Sequence, residues 1–368
     1  MHIGIDGSMW REPETGVFAA TRRVFVKLAT SGRDHRLTAF LSAQTAARLA
    51  GVVGAAANTV AVPVAASALR VLWQQAFLPR LAAGLGLDVL YCPSYTVPLW
   101  SRCPRVVTVH DLIAWKRPDL CRLRNLLHLR ALVHASVNAA RMVMVPSEVV
   151  KRDLIEIFRT PEEKIRVMPW GVDLNIQRCD RDSARELVRG WYGIDSPFIL
   201  FVGVLEPKKN LPSLLQATRR LGVLLVVVGA PGWGERRVRR VITREGPDVV
   251  RSLGFVPEER LSALYSAAEV FAFPSLIEGF GLPVVEAMAC GTPVVTSDDP
   301  ALRDTCGGAA LHVPAQDVGA LAACLRQVLE DPRRRAELAE RGLRRAAEFT
   351  WERSVDVLLD SLRLAAEG

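Results

Sequence analysis

Short runs of β-branched and aliphatic residues alternate with longer amphipathic stretches almost from end to end. The first half predicts strands at His2–Asp6, Leu37–Leu41, Thr59–Val64, Val89–Cys92, Arg105–His110 and Met142–Pro146. The second half predicts them at Phe198–Val204, Leu224–Gly229, Val250–Phe255, Val270–Pro274, Pro293–Ser297 and Ala310–Val313. Strands this continuously apolar, separated by helix-length segments, belong in parallel sheets covered on both faces. Twelve are too many for one small sheet, and the series pauses at Pro169-Trp170-Gly171-Val172-Asp173 and the polar stretch to Arg185. Two doubly wound, Rossmann-like α/β domains are therefore expected, over 1–172 and 173–348. The remaining 349–368 reads as one terminal helix, with Thr350 as its cap and Val355, Leu358, Leu359 and Leu362 on one face. Ligands of such sheets bind beyond the carboxyl ends of the strands, so a site in a cleft between the two domains is expected.

The 21 residues from Leu49 to Leu69 carry no charge, long enough on paper for a membrane span. Asn58, Thr59 and Pro63 interrupt them, and a helix end, a turn and a buried strand are expected instead. The start of the chain lacks a charged segment followed by an apolar one, so no signal peptide is expected. The 368 residues are half hydrophobic, which excludes a mainly disordered protein. Seven cysteines without a CxxC spacing fit free thiols in a reducing cytoplasm and indicate no zinc site. The balance of 47 Lys and Arg against 39 Asp and Glu, +8, favours anionic partners. Its densest clusters, Arg236 to Arg240 and Arg333 to Arg335, read as solvated helix faces rather than a nucleic-acid footprint.

No GxGxxG follows the first strand, and no GxxxxGK[ST] occurs. The chemistry concentrates instead in Phe273–Val295. There a buried strand ends at Pro274, a glycine loop follows, and a helix starts near Leu282 with Pro283 in its first turn. Such a loop turns backbone N–H groups and a helix dipole towards an anion, while Gly279 and Gly281 allow close approach. Glu278 at the mouth of the loop and Glu286 near the start of the helix, about one turn further in, bracket that anion site. Carboxylates accept paired hydroxyls and amides take phosphate, a combination suited to a ligand carrying both sugar and phosphate.

The E-x7-E spacing of Glu278 and Glu286 within EGFGLPVVEAMACGTPVV resembles the signature of the retaining glycosyltransferases of family 4, whose two-domain fold is called GT-B. The resemblance runs over nearly the whole chain. It includes Thr15-Gly16-Val17, Val109-His110-Asp111-Leu112, Val145-Pro146-Ser147-Glu148, Pro169–Asp173 and Val202–Asn210. It implies an N-terminal domain for the acceptor, a C-terminal domain for a nucleotide sugar, and a terminal helix crossing back to the first domain. By the same resemblance Glu278 holds the donor sugar's hydroxyls and Glu286 the ribose. Gly279, Phe280, Gly281 and Leu282 offer backbone donors, and Lys209 meets the phosphate as the leaving group gains charge. Lys208 stands where a subgroup carries arginine, which changes the clamp from a fork to a point charge.

The same resemblance brings His110 to the donor sugar, Gly16 to the diphosphate through its amide, and Phe255 and Val256 to the base. It implies a same-face transfer of a hexose from a GDP-mannose-like or UDP-sugar donor, with no cofactor and no metal. The acceptor is a hydroxyl of a glycan, lipid-linked or small molecule. Asp298-Asp299 reads as a helix-capping pair rather than a metal motif. Between Lys116 and Arg141, arginines interleave with Leu123, Leu126, Leu127, Leu129 and Leu132, which suits peripheral contact with acidic lipid at the inner face of a membrane. A catalytically silent nucleotide-sugar-binding protein, or another GT-B enzyme such as a phosphorylase, is the alternative.

Overall fold

The computed structural model describes residues 1–10, 16–31, 35–63, 67–234, 240, 242–243 and 245–367, with the backbone alone at 55, 67 and 68. Thr15, Val64 and the arginines from 236 to 239 lie outside the described residues. The chain divides into two compact units, one formed by Met1–Trp170 with Trp351–Gly368, the other by Gly171–Thr350.

The first unit holds seven strands: β1 (His2–Asp6), β2 (Arg36–Leu41), β3 (Asn58–Ala61), β4 (Val89–Cys92), β5 (Arg105–Thr108), β6 (Met142–Val145) and β7 (Ile165–Val167). They lie in the order β3-β2-β1-β4-β5-β6-β7, and every pairing is parallel. β1, β4 and β6 are buried along their whole length, as sheets covered on both faces require. β3 departs from the sequence reading. As the edge strand it exposes Asn58, Thr59 and Ala61, so the uncharged segment supplies a rim rather than core. β7, three residues before Met168-Pro169, was too short to register as a hydrophobic run. The terminal helix, Trp351–Glu367, buries Val355, Leu358, Leu359, Leu362 and Ala365 against β4 to β7 and the helix Val17–Thr30. Each buried Val or Leu among them contributes about 1.5–3 kcal/mol. Ser354 Oγ donates to the Pro169 carbonyl at 2.6 Å, and Lys27 pairs with Glu352.

The second unit holds β8 (Phe198–Val202), β9 (Leu224–Val228), β10 (Val250–Gly254), β11 (Val270–Phe273), β12 (Val294–Ser297) and β13 (Leu311–Val313). Their order is β10-β9-β8-β11-β12-β13, again all parallel. β8 leads to β9 on one side, whereas its other neighbour, β11, belongs to the second half of the sheet. The chain therefore leaves β8 and β11 in opposite directions, and their carboxyl ends frame a topological switch point. At the opposite end of the sheet the buried Glu269 is ion-paired with Arg181, Arg185 and Arg335. Burial alone would raise that carboxyl, but the three guanidinium groups hold it below the usual range.

Candidate active site

The loop leaving β8 is shaped by two glycines. Gly203 donates to the Val228 carbonyl at 2.9 Å, and a Cβ on Gly229 would stand 1.9 Å from the Gly203 oxygen. After one tight turn, Pro207–Lys209, Asn210 adopts a left-handed conformation (φ 54°, ψ 34°), which asparagine tolerates better than most residues. Its side-chain amide donates to the carbonyls of Pro274 (3.2 Å) and Ala315 (2.6 Å) and accepts the Ser213 hydroxyl at 2.8 Å. The Leu276 N–H donates to the Lys208 carbonyl at 2.7 Å. The loop after β8 is thus stitched to the loop after β11.

Lys209 and Glu278 meet on this stitched floor. Lys209 Nζ lies 2.5 Å from Glu278 Oε1 and 4.5 Å from the centre of the Phe273 ring, at the end of β11. Burial alone would raise the Glu278 carboxyl. The charges of Lys209 and Lys208, with the hydrogen bond from Lys209, outweigh it and hold the group below the usual carboxylate range. Glu278 is therefore an ionised acceptor in a nearly dry setting, where its hydrogen bonds gain strength.

Beyond Glu278 the loop turns into the helix Leu282–Ala289 through Gly281, at φ 98°, where a Cβ would stand 2.5 Å from Leu302 Cδ2. No side chain caps that helix at Gly281, and Pro283 occupies its first turn. First-turn N–H groups in such a setting suit an anion. Gly279, Phe280 and Leu282 are buried, and Glu286 is buried with its Oε2 accepting the Tyr265 hydroxyl at 2.9 Å. Phe255 and Val256 follow Gly254 at the end of β10, two strands from β8; Phe255 is half exposed and Val256 buried.

Gly16 and His110 belong to the other unit. Gly16 (φ 53°, ψ −115°) heads the helix Val17–Thr30, and a Cβ there would meet nothing within 4 Å. His110 follows β5 and is buried between Tyr95 and Trp170, whose ring centres stand 5.1 and 5.4 Å away. His110 Nε2 is 2.7 Å from the Pro93 carbonyl, which can only accept, so Nε2 carries the proton and Nδ1 presents a lone pair. That Nδ1 and the buried Ser94 Oγ have no hydrogen-bond partner among the described residues. Burial, against the hydrogen bond to Pro93, lowers the His110 pKa to about 4, so the ring is neutral at pH 7.

A pH dependence of defined sign follows. The unfolded chain takes up a proton near pH 6.5 that the folded His110 refuses until about pH 4. This group's stabilisation is complete above pH 6.5 and is lost as the pH falls, by about 2–3 kcal/mol at pH 4.5. Urea unfolding at pH 7 and pH 4.5 is expected to show a smaller loss in His110→Gln than in the wild type. Equal losses would place the titration elsewhere.

The structure thus gathers Lys208, Lys209, Glu278, Gly279, Phe280, Gly281, Leu282 and Glu286 around β8 and β11. Gly16 and His110 sit at strand ends of the first unit. The sequence reading assigned no role to Asn210 or Ser94. Of the acidic pair, Asp299 caps the helix Pro300–Cys306, accepting from the N–H groups of Ala301 (3.0 Å) and Leu302 (3.2 Å), while Asp298 is exposed. Burial, with the Glu278 charge adding to it, raises Asp299 to about 6, against hydrogen bonds from the N–H groups of Leu302, Ala301 and Glu278. Among the described residues no group of three or more His, Cys, Asp or Glu is placed to hold a metal ion, and no helix is long and apolar enough to cross a membrane. The seven cysteines form no disulfide with one another.

Known proteins share both units. Residues 19–176 match the family described as Glycosyltransferase Family 4, and residues 192–345 the one described as Glycosyl transferases group 1. An O-antigen chain mannosyltransferase B of Escherichia coli is 31% identical over 290 residues, 75% of this chain and 74% of that protein. A D-inositol 3-phosphate glycosyltransferase of Kineococcus radiotolerans is 33% identical over 255 residues, 63% of this chain and 59% of that one. Among solved structures, Anabaena HepE in complex with UDP and glucose superposes with a TM-score of 0.77 at 22% identity, over 99% of each chain. The fold, the two family matches and the mannosyltransferase relative together establish that the chain belongs to glycosyltransferase family 4, enzymes of the two-domain, Rossmann-like GT-B fold.

Proposed function

We propose that this glycosyltransferase moves a hexose from a nucleoside-diphosphate sugar to an acceptor hydroxyl with retention of anomeric configuration, the donor being GDP-mannose-like or a UDP-sugar. The observation that carries the reading is the Lys209–Glu278 pair at the β8/β11 switch point, beside the glycine-headed helix Leu282–Ala289. In this reading Glu278 accepts hydroxyls of the transferred sugar and Glu286 those of the ribose. The leaving diphosphate is neutralised by Lys209, Lys208 and the peptide N–H groups from Gly279 to Leu282, and the reaction runs without a metal. The bond from the anomeric carbon to the phosphate oxygen breaks and a bond from that carbon to the acceptor oxygen forms on the same face. The acceptor's proton passes to the departing phosphate. Positioning and charge stabilisation supply the rate. His110 Nδ1 takes a sugar hydroxyl, the Gly16 amide meets the diphosphate, and Phe255 and Val256 border the base. The first unit carries the acceptor and the second the donor. The E. coli relative's mannosyl transfer favours a mannose donor, and the UDP and glucose bound by HepE favour a UDP-sugar.

Thermal shifts with UDP, GDP, ADP and TDP, followed by sugar release from the matching nucleotide sugar, test the proposal. One nucleotide is expected to stabilise the protein well above the others, by about 2.7 kcal/mol at a hundred times its Kd. Sugar release is expected from its hexose conjugates. Stabilisation without release would instead mark a silent binding protein, and no response to any nucleotide would overturn both.

A further inference from the structure

The donor loop is held from behind by one short helix. One face of Pro300–Cys306, carrying Leu302 and Thr305, lies against Phe280 and Gly281. At its head, the Asp299 carboxylate accepts the N–H groups of Ala301 and Leu302 and lies close enough to Glu278 for that residue's charge and backbone to act on its pKa. In its middle, the fully buried Leu302 fills the space that a side chain on Gly281 would need. At its tail, the buried Thr305 hydroxyl donates to the Phe280 carbonyl at 2.7 Å. That tail is itself clamped. Arg345 donates from Nε to the Thr305 carbonyl (2.9 Å) and from Nη2 to the Asp304 carbonyl (2.8 Å). The same guanidinium lies 4.8 Å from the centre of the Phe349 ring, and Phe349 meets the Phe280 ring edge-on at 5.5 Å. Phe280 is therefore gripped twice, by its carbonyl and by its ring, through two arms that converge on Arg345.

We propose that Pro300–Cys306 is a splint for the donor loop, with Asp299 and Thr305 as positioning residues on which sugar transfer depends although neither touches the sugar. This rests on the reading that Glu278–Gly281 holds the donor. The reason is geometric. A glycine loop has little stiffness of its own, and a displacement of about 1 Å at a reacting centre can cost a hundredfold in rate. Three attachments on consecutive turns of one helix set the loop's height, the room at Gly281 and the direction of the Phe280 peptide together. Glycine supplies the turn, and the splint supplies the rigidity that glycine lacks.

Thr305→Val keeps the shape of the side chain and removes its hydrogen bond to Phe280. It is expected to lower kcat for sugar release from the preferred nucleotide sugar about tenfold at 20 °C, and Thr305→Ser is expected to return it to within threefold of wild type. Thr218→Val removes a comparable buried hydrogen bond, from Oγ1 to the Leu215 carbonyl at 3.1 Å in the helix Leu211–Leu221, and serves as the control for lost stability alone. It is expected to leave kcat within twofold. Asp299→Asn guards against a Thr305 variant that fails to fold. Asparagine still caps the helix with one oxygen, so Tm at pH 7.5 should not fall, while kcat should drop severalfold. Wild-type kcat in both Thr305→Val and Asp299→Asn, or an equal loss in Thr218→Val, overturns the splint. A wild-type enzyme that releases sugar from no nucleotide sugar defeats the donor reading itself, a different result from an active enzyme indifferent to Thr305.

Discussion

Glu278→Gln is expected to abolish most of the enzyme's sugar transfer, lowering kcat by about a hundredfold or more, the scale for removing a charged partner from a reacting centre. Glutamine matches glutamate in size, so packing against the neighbouring loop survives. What disappears is the charge that balances Lys209, 2.5 Å away, and that in the proposed function accepts sugar hydroxyls. The ammonium, nine-tenths buried, is then left without its carboxylate, and removing one partner of a buried pair costs about 3–5 kcal/mol. Lys209→Met should destabilise by a similar amount for the mirror-image reason. The double variant should be less unstable than the two losses added together, because the second substitution removes the charge stranded by the first. Measuring kcat and urea unfolding for all four proteins of the cycle checks both halves. Strict additivity would mean that the pair is not coupled, and a fully active Glu278→Gln would remove this residue from the chemistry.

Gly229→Ala is expected to be the most damaging change of a single methyl group, costing more than about 3 kcal/mol and nucleotide binding with it. Its Cβ would stand 1.9 Å from the Gly203 oxygen, and that carbonyl belongs to backbone which cannot swing aside as a side chain can. Gly203 donates to Val228 on one side and Gly229 to Gly254 on the other, so separating them pulls apart the carboxyl ends of β8, β9 and β10 together. Lys208 and Lys209 follow within six residues of Gly203. The control is Gly51→Ala, inside the helix Ala43–Val53, where a Cβ meets nothing within 4 Å. It should stabilise the protein by up to about 1 kcal/mol. Equilibrium unfolding and a nucleotide thermal shift on both variants would check this, and similar behaviour of the two would refute the close-approach argument.

The fold was legible because its strands are short, continuous and apolar, a signal that needs no knowledge of what lies opposite. β7 escaped because three residues carry too little pattern, and β3 was read as buried because an uncharged edge strand resembles a core strand until its neighbours are known. The candidate site was legible in its contiguous part. Glu278, Gly279, Phe280, Gly281, Leu282 and Glu286 all fall within a nine-residue stretch of one loop and helix, so local spacing alone juxtaposes them. Asn210 and Thr305 went unread because their meaning depends on partners far away, Pro274 and Ala315 for the first and Phe280 for the second. Asp299 was read correctly as a cap, but its reach to Glu278 crosses from one strand end to the next, which no single stretch of sequence records. The His110 tautomer depends on the Pro93 carbonyl, 17 residues earlier.

Lys209 and Glu278 are each satisfied by the other, so neither offers an unmet charge. An arriving molecule must win the ammonium away and give the abandoned carboxylate something else to hold. Inorganic phosphate answers chiefly the first demand, and a free hexose chiefly the second. On the proposed reading, a compound bearing an anion and hydroxyls side by side meets both demands at once, so the pair favours that combination over either fragment alone.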